Sequence, residues 1–236
     1  MKKTIILLSG GPDSSAAIFI LNMQKETSDE IQCLSFLASK MTDNSREIDC
    51  AKIIANQCNV QHKIIDVSQL DQLFSDIPLI TIGMGGGNKP GKRKPFGFLG
   101  KTSCTPDGKI EAPLSLQTMH LLSAVYAVSH GFNEIVWAVH KDDNWDNSIT
   151  DYIDTFNKML HVSGYQVTIV IPFIGISKSE LIKKGIEAGM NNEDTWSCLH
   201  SRENHCGKCQ GCIERQSAIN ALNIKQNKKR VLQKSF

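Results

Sequence analysis

A chain of 236 residues is long enough to bury one substantial core, and 41% hydrophobic with 21% charged residues is an ordinary globular balance. The formal charge of +2 gives the whole chain no bias toward nucleic acid. No run of 18 or more apolar residues occurs, so no membrane span is expected; the apolar N-terminal stretch breaks too early, at Ser9-Gly10-Gly11-Pro12-Asp13, to serve as a signal peptide. The expected location is the cytoplasm.

In chain order, Thr4 to Leu8 reads as a short buried strand and Ala16 to Leu21 as the helix after it. Ile31 to Leu37 is a second strand, Ser45 caps a helix running to Gln57, and Lys63 to Val67 is a third strand. Periodicity dissolves from Ser75 to Ala112, where Gly83-Met84-Gly85-Gly86-Gly87 and Lys89-Pro90-Gly91 cannot build a core element. Residues 81–112 therefore read as a lid, a docking loop or an inert insertion. A helix from Leu114 to Ser129 stops at Gly131, followed by a strand from Phe132 to Val139 and a helix from Asp151 to Leu160. Tyr165 to Ile171 is a fifth strand, and Ser177-Lys178-Ser179-Glu180 has the spacing of a capping box for a helix that stops near Gly189.

This alternation predicts an α/β fold: an open, doubly wound, parallel five-stranded sheet over residues 1–190, then a metal-binding segment and helical tail over 191–236. Such sheets bind ligands beyond the carboxyl ends of their strands, which gathers Ser9 to Asp13, Ala38 to Thr42 and His140 to Asp146 on one rim. The basic residues Lys225, Lys228, Lys229, Arg230 and Lys234 read as a solvated helix face before they read as a nucleic-acid contact.

Three groups of residues carry chemistry. Ser9-Gly10-Gly11-Pro12-Asp13-Ser14-Ser15 follows a strand and opens a helix; its glycines let the backbone turn its amides inward, and Ser9, Ser14 and Ser15 add hydroxyls, so the stretch is an anion cradle. Asp13 is no phosphate ligand; it suits magnesium or the first amides of the helix. Neither G-x-x-x-x-G-K-[S/T] nor G-x-G-x-x-G occurs here. Cys198, Cys206, Cys209 and Cys212 offer four soft ligands at spacings that close a tetrahedron, which points to a structural zinc; His200 and His205 compete, and an iron–sulfur cluster is the alternative. Arg215 is expected to start the helix beyond the metal, and Cys33, Cys50, Cys58 and Cys104 to be small core residues. After the fourth strand, Trp145 can stack on a planar heterocycle while Asp142, Asp143 or Asp146 accept from ring N–H groups; His140 at the rim is a weaker candidate, with packing as its plain reading.

Ser-Gly-Gly-x-Asp-Ser-Ser resembles the PP-loop of the N-type ATP pyrophosphatases, and within that group the chain is similar to the 7-cyano-7-deazaguanine synthase (QueC) family from Ile5 to about Ala221. Thr195-Trp196-Ser197-Cys198 and His205 to Arg215 resemble that family's zinc segment. The resemblance implies that Ser9, Gly10, Gly11, Asp13, Ser14 and Ser15 hold the ATP phosphates, with Phe36 and Ala38 on the adenosine side. His140, Asp142, Asp143, Trp145 and, less closely matched, Asp151 would frame the deazaguanine acid. Activation with ATP and Mg2+ would centre on Ser9, Asp13 and Ser14, with 7-carboxy-7-deazaguanine as acid, ammonia as nucleophile, and a homodimer as assembly.

Two runs depart from the family. Ala38-Ser39-Lys40-Met41-Thr42 stands where a Tyr-Gly-Gln-Arg-His-like run is usual, and Glu111-Ala112-Pro113-Leu114-Ser115-Leu116 where a Pro-Gly-Arg-Asn-like run is usual. QueC-like relatives also occur in bacterial antiviral defence clusters, so the alternatives are a paralogue that passes the deazapurine to a protein amine, a tRNA-modifying enzyme, and a non-catalytic nucleotide-binding scaffold.

Overall fold

The structure is a computed structural model and describes residues 1–37, 44–68, 115–143, 148–198 and 203–222. Its elements are β1 (Lys3–Leu7), α1 (Pro12–Gln24), β2 (Glu30–Leu37), α2 (Ser45–Gln57), β3 (Gln61–Asp66), α3 (Ser115–His130), β4 (Glu134–Val136), α4 (Ser148–Val162), β5 (Thr168–Val170), α5 (Lys178–Glu187) and α6 (Gln210–Ala221). The sheet is parallel throughout, in the order β3-β2-β1-β4-β5. This is the open five-stranded sheet expected from sequence. Its strand order reverses between β1 and β4, and the crevice above that point is where such folds place ligands.

Both faces of the sheet are covered. Ile5 packs with the layer of α3 and α4, among Ala127, Ile153 and Phe156, while its neighbour Ile6 packs with α1, α2 and α5, among Ala17, Ile54 and Leu181. A strand buried on two faces needs a continuous apolar run, and Ile5-Ile6-Leu7-Leu8 supplies it. Cys33, Cys50 and Cys58 are buried; Cys104 lies outside the described residues. Among the described residues, no helix is long and apolar enough to cross a membrane.

Several boundaries differ from the sequence expectation, each for a local reason. Strand β4 begins only at Glu134 because Phe132 belongs to the end of α3: Gly131 turns at φ +73°, and the Phe132 N–H donates to the Ala127 carbonyl at 2.9 Å. Likewise Tyr165 donates to Leu160 at 3.0 Å after Gly164 at φ +87°, which shortens β5 to Thr168–Val170. Helix α1 starts at Pro12, earlier than Ala16, since a missing N–H costs nothing in a first turn. Asn44 rather than Ser45 occupies the cap position of α2, and its side chain donates to the Phe36 carbonyl at 2.9 Å. The Ser177 cap on α5 forms as expected, its hydroxyl accepting from the Glu180 N–H at 3.2 Å.

Candidate active site

Gly10 turns the chain out of β1 at φ +82°, and a Cβ there would lie 2.1 Å from the Glu47 carbonyl oxygen on α2. Glycine is therefore needed for both the turn and the close approach. The Gly11 N–H donates to Ser9 Oγ at 3.2 Å, the Ser9 N–H donates to Ser14 Oγ at 3.1 Å, and the two hydroxyls lie 3.0 Å apart. Gly11 caps α1, so the positive end of that helix faces the loop. Ser15 Oγ and Asp13 Oδ1 are buried without a hydrogen-bond partner. The hydroxyl suits a phosphate oxygen and the carboxylate oxygen a divalent cation, so these residues fit a magnesium-bound nucleotide.

The other oxygen of Asp13 meets Lys178 Nζ at 2.7 Å, and Glu214 Oε2 of α6 lies 4.0 Å from the same ammonium. Burial works against the charge on Lys178, but Asp13, Glu214 and Asp143 outweigh it and raise its pKa. Burial also works against the Asp13 carboxylate; Lys178 and His140 prevail and hold its pKa well below the usual range. Lys178 is the residue that the sequence reading missed, because Ser177-Lys178-Ser179-Glu180 reads there as a cap alone. The available signal was a cation in the first turn of α5, where the helix dipole disfavours positive charge.

His140 lies just past β4 and is 2% exposed, with Nε2 3.5 Å from Asp13 Oδ1 and 3.4 Å from Asp143 Oδ1. Asp143 also accepts the His140 backbone N–H at 3.0 Å, closing the turn Lys141–Asp143 on itself. Asp142 is exposed and accepts the Lys178 backbone N–H at 2.8 Å, so this carboxylate fastens the rim loop to the start of α5. The structure thus brings Ser9, Gly10, Gly11, Asp13, Ser14, Ser15, His140, Asp142 and Asp143 together. Phe36 is buried in the α3–α4 layer and Asp151 is exposed on α4; neither belongs to the polar cluster around Asp13. Ala38, Trp145 and Asp146 lie outside the described residues.

The sulfur atoms of Cys198, Cys206, Cys209 and Cys212 all lie within 4.8 Å of one another, and two of the pairs, Cys206–Cys212 and Cys209–Cys198, are at 4.0 Å. Zinc–sulfur bonds of about 2.3 Å give a tetrahedron with edges of about 3.8 Å, so this donor set fits one zinc-sized ion. The Cys206 thiol is lowered to about 6 by the backbone N–H groups of Lys208 and Cys209, whereas burial pushes Cys212 up to about 12. His205 is no rival ligand through Nε2, which accepts the Ser197 N–H at 3.3 Å while the ring packs on Trp196 at 4.2 Å. His200 lies outside the described residues. Helix α6 starts at Gln210 rather than at Arg215; Arg215 is buried and donates to the carbonyls of Thr195 and Asn192. Close to the phosphate loop, the Trp196 N–H donates to the Gly10 carbonyl at 2.8 Å.

A model of the family described as "Queuosine biosynthesis protein QueC" matches residues 3–81 and 114–223, which include the loop, the rim and the cysteine cluster. The chain belongs to the QueC family. It is 28% identical over 233 residues to 7-cyano-7-deazaguanine synthase 1 of Colwellia psychrerythraea, covering 94% of this chain and 95% of that one. It is 27% identical over 223 residues to the 7-cyano-7-deazaguanine synthase of a Marinomonas species, covering 92% and 93%. Among solved structures, the tRNA thiolase NcsA of Methanococcus maripaludis, with its 4Fe–4S cluster, shares the fold at a TM-score of 0.51 and 14% identity, over 98% of this chain and 73% of that one.

Proposed function

We propose that the protein uses ATP to adenylate 7-carboxy-7-deazaguanine and, with ammonia, converts it to 7-cyano-7-deazaguanine. The observation that carries this reading is the complete phosphate loop, with Asp13 set between Lys178 and His140 at the β1/β4 crevice. Similarity to 7-cyano-7-deazaguanine synthases over nearly the whole chain supplies the choice of acid.

The acid's carboxylate attacks the α-phosphorus, giving an acyl adenylate and pyrophosphate. Ammonia then displaces AMP to form the amide. A second ATP activates the amide oxygen, and loss of AMP with the remaining amide protons leaves the nitrile. The amides and hydroxyls of Ser9–Ser15, with the Lys178 ammonium, face the charge that builds on the phosphates. Magnesium, held with Asp13, would neutralise the departing pyrophosphate. Zinc on the four cysteines would be structural. Direct attack fits the described cysteines outside that cluster: Cys33, Cys50 and Cys58 are buried with thiols pushed up by desolvation, which makes them poor nucleophiles.

A second reading keeps the activation but hands the deazapurine to an amine on another macromolecule; the altered runs at Ala38–Thr42 and Glu111–Leu116 favour it. Mass spectrometry of protein, ATP, magnesium, the acid and ammonium, with an acid-free control, separates the two. Acid-dependent AMP with free nitrile supports synthesis, and acid-dependent AMP without nitrile supports a redirected acceptor. No acid-dependent AMP refutes both.

A further inference from the structure

Carboxylates surround Lys178 from three directions, and one of them has no part in the proposed chemistry. Asp13 of α1 meets its Nζ at 2.7 Å, Glu214 of α6 stands 4.0 Å off, and Asp143 faces it from the turn after β4. Asp143 is engaged elsewhere, since it lies 3.4 Å from His140 Nε2 and accepts the His140 backbone N–H at 3.0 Å. The side chains of Lys178, Glu214 and Asp13 are 12%, 23% and 24% exposed, so each is largely enclosed yet still in touch with solvent.

Glu214 reaches this place by way of the cysteine cluster. Residues two apart on a helix point about 200° apart. With Cys212 facing the cluster, Glu214 faces away from it, toward the first turn of α5. Arg215, the next residue, is buried and donates to the carbonyls of Thr195 and Asn192, which fixes the roll of α6.

Asp13 cannot serve Lys178 and magnesium equally. Its Oδ1 has no hydrogen-bond partner and suits the cation, while Oδ2 holds the ammonium. A divalent ion on one carboxylate oxygen outweighs the attraction left at the other, and it repels an ammonium nearby. A part-buried ammonium that loses one carboxylate needs another. Glu214 is close enough to be met by a small rotation of the lysine side chain.

We infer that Glu214 is a positioning residue: it takes over the Lys178 ammonium when magnesium occupies Asp13 and holds it toward the nucleotide phosphates. The inference rests on the proposed use of magnesium and ATP, whichever acid is activated. Calorimetric titration of a non-hydrolysable ATP analogue at a series of magnesium concentrations tests it in wild type, Glu214→Gln and Lys178→Met. Glu214→Gln should raise the magnesium concentration for half-maximal binding about fivefold, the weight of one part-exposed ion pair, and leave magnesium-free binding unchanged. At saturating magnesium it should lower the kcat of acid-dependent AMP release about fivefold, with the KM for ATP unchanged. Neither effect should appear when Glu214→Gln is added to Lys178→Met, because Glu214 acts through the ammonium. A magnesium dependence that folded Glu214→Gln leaves unchanged overturns the inference, and so does an undiminished effect in the Lys178→Met background; both leave the proposed function standing. Should Glu214→Gln not fold, Glu214→Asp, whose carboxylate is withdrawn by one methylene, is read in the same way. Wild type that releases no acid-dependent AMP refutes the proposed acid, whereas the magnesium series still decides the role of Glu214.

Discussion

Glu47 gives the most direct physical test of how tightly the phosphate loop is backed. It lies in the first turn of α2, is 6% exposed, and its carbonyl oxygen is the atom against which Gly10 packs. Burial pushes its carboxyl up to about 8 from an ordinary 4.5. The first-turn position favours the anion by only about 0.3–1 kcal/mol, too little to reverse that. A group whose folded pKa is raised holds its proton in the native state after the unfolded chain has lost it. Stability from Glu47 is therefore fully present below pH 4.5 and is lost as pH rises toward 8. At ~1.36 kcal/mol per pH unit, the loss between pH 5.5 and 7.5 amounts to about 2–3 kcal/mol. His120, whose burial lowers its pKa to about 3, works in the opposite direction over the same interval, so the wild-type curve alone is not diagnostic. The assay is urea unfolding of wild type and Glu47→Gln at both pH values. The glutamine variant should lack this term, gaining about 2 kcal/mol relative to wild type between the lower and the higher pH. Parallel pH dependence in the two proteins would refute the claim that a neutral carboxyl is buried there.

Gly10→Ala should lose about 2–4 kcal/mol in urea unfolding, the sum of a left-handed backbone and an overlap with the α2 main chain, and should not bind an ATP analogue in calorimetry. Lys178→Met should lower the rate of AMP release by roughly 100-fold, the loss of an electrostatic contact of about 2.7 kcal/mol, and should destabilise the fold by leaving Asp13 unpaired. Adding Asp13→Asn should restore much of that stability, measured by thermal melting, without restoring turnover. Elemental analysis should find about one zinc per chain, and chelation or Cys212→Ser should change Trp196 fluorescence and weaken nucleotide binding together.

What was legible in the sequence is what local spacing encodes. The apolar run Ile5-Ile6-Leu7-Leu8 announced a strand buried on both faces, and Gly131 and Gly164 stand between α3 and α4 and the strands that follow them. The same glycines misled at the edges. Phe132 and Tyr165 look like strand residues, yet their N–H groups are consumed in closing α3 and α4. Cys198 to Cys212 could be grouped because three of the four fall within seven positions. Lys178 could not, since its partner Asp13 is 165 positions away and nothing in Ser177-Lys178-Ser179-Glu180 distinguishes a buried, ion-paired lysine from an exposed one.

The cysteine cluster and the phosphate loop, far apart in sequence, meet through one peptide unit. In a trans peptide the carbonyl of Gly10 and the N–H of Gly11 point in opposite directions. The Trp196 N–H holds that carbonyl at 2.8 Å, so it also turns the Gly11 N–H toward Ser9 Oγ, inside the cradle. Trp196 is fixed in turn from the cluster side: its indole N–H donates to the Cys198 carbonyl at 3.0 Å, and His205 packs on its ring. Arg215 ties the preceding Thr195 to α6, and Gly211 lies so close to the Ser197 carbonyl that a Cβ would reach within 1.9 Å. A structural zinc contributes on the order of 10 kcal/mol, whereas ordering each loop residue costs about 1–2 kcal/mol. A metal in this cluster is therefore strong enough to set the direction of the Gly11 amide in the loop after β1.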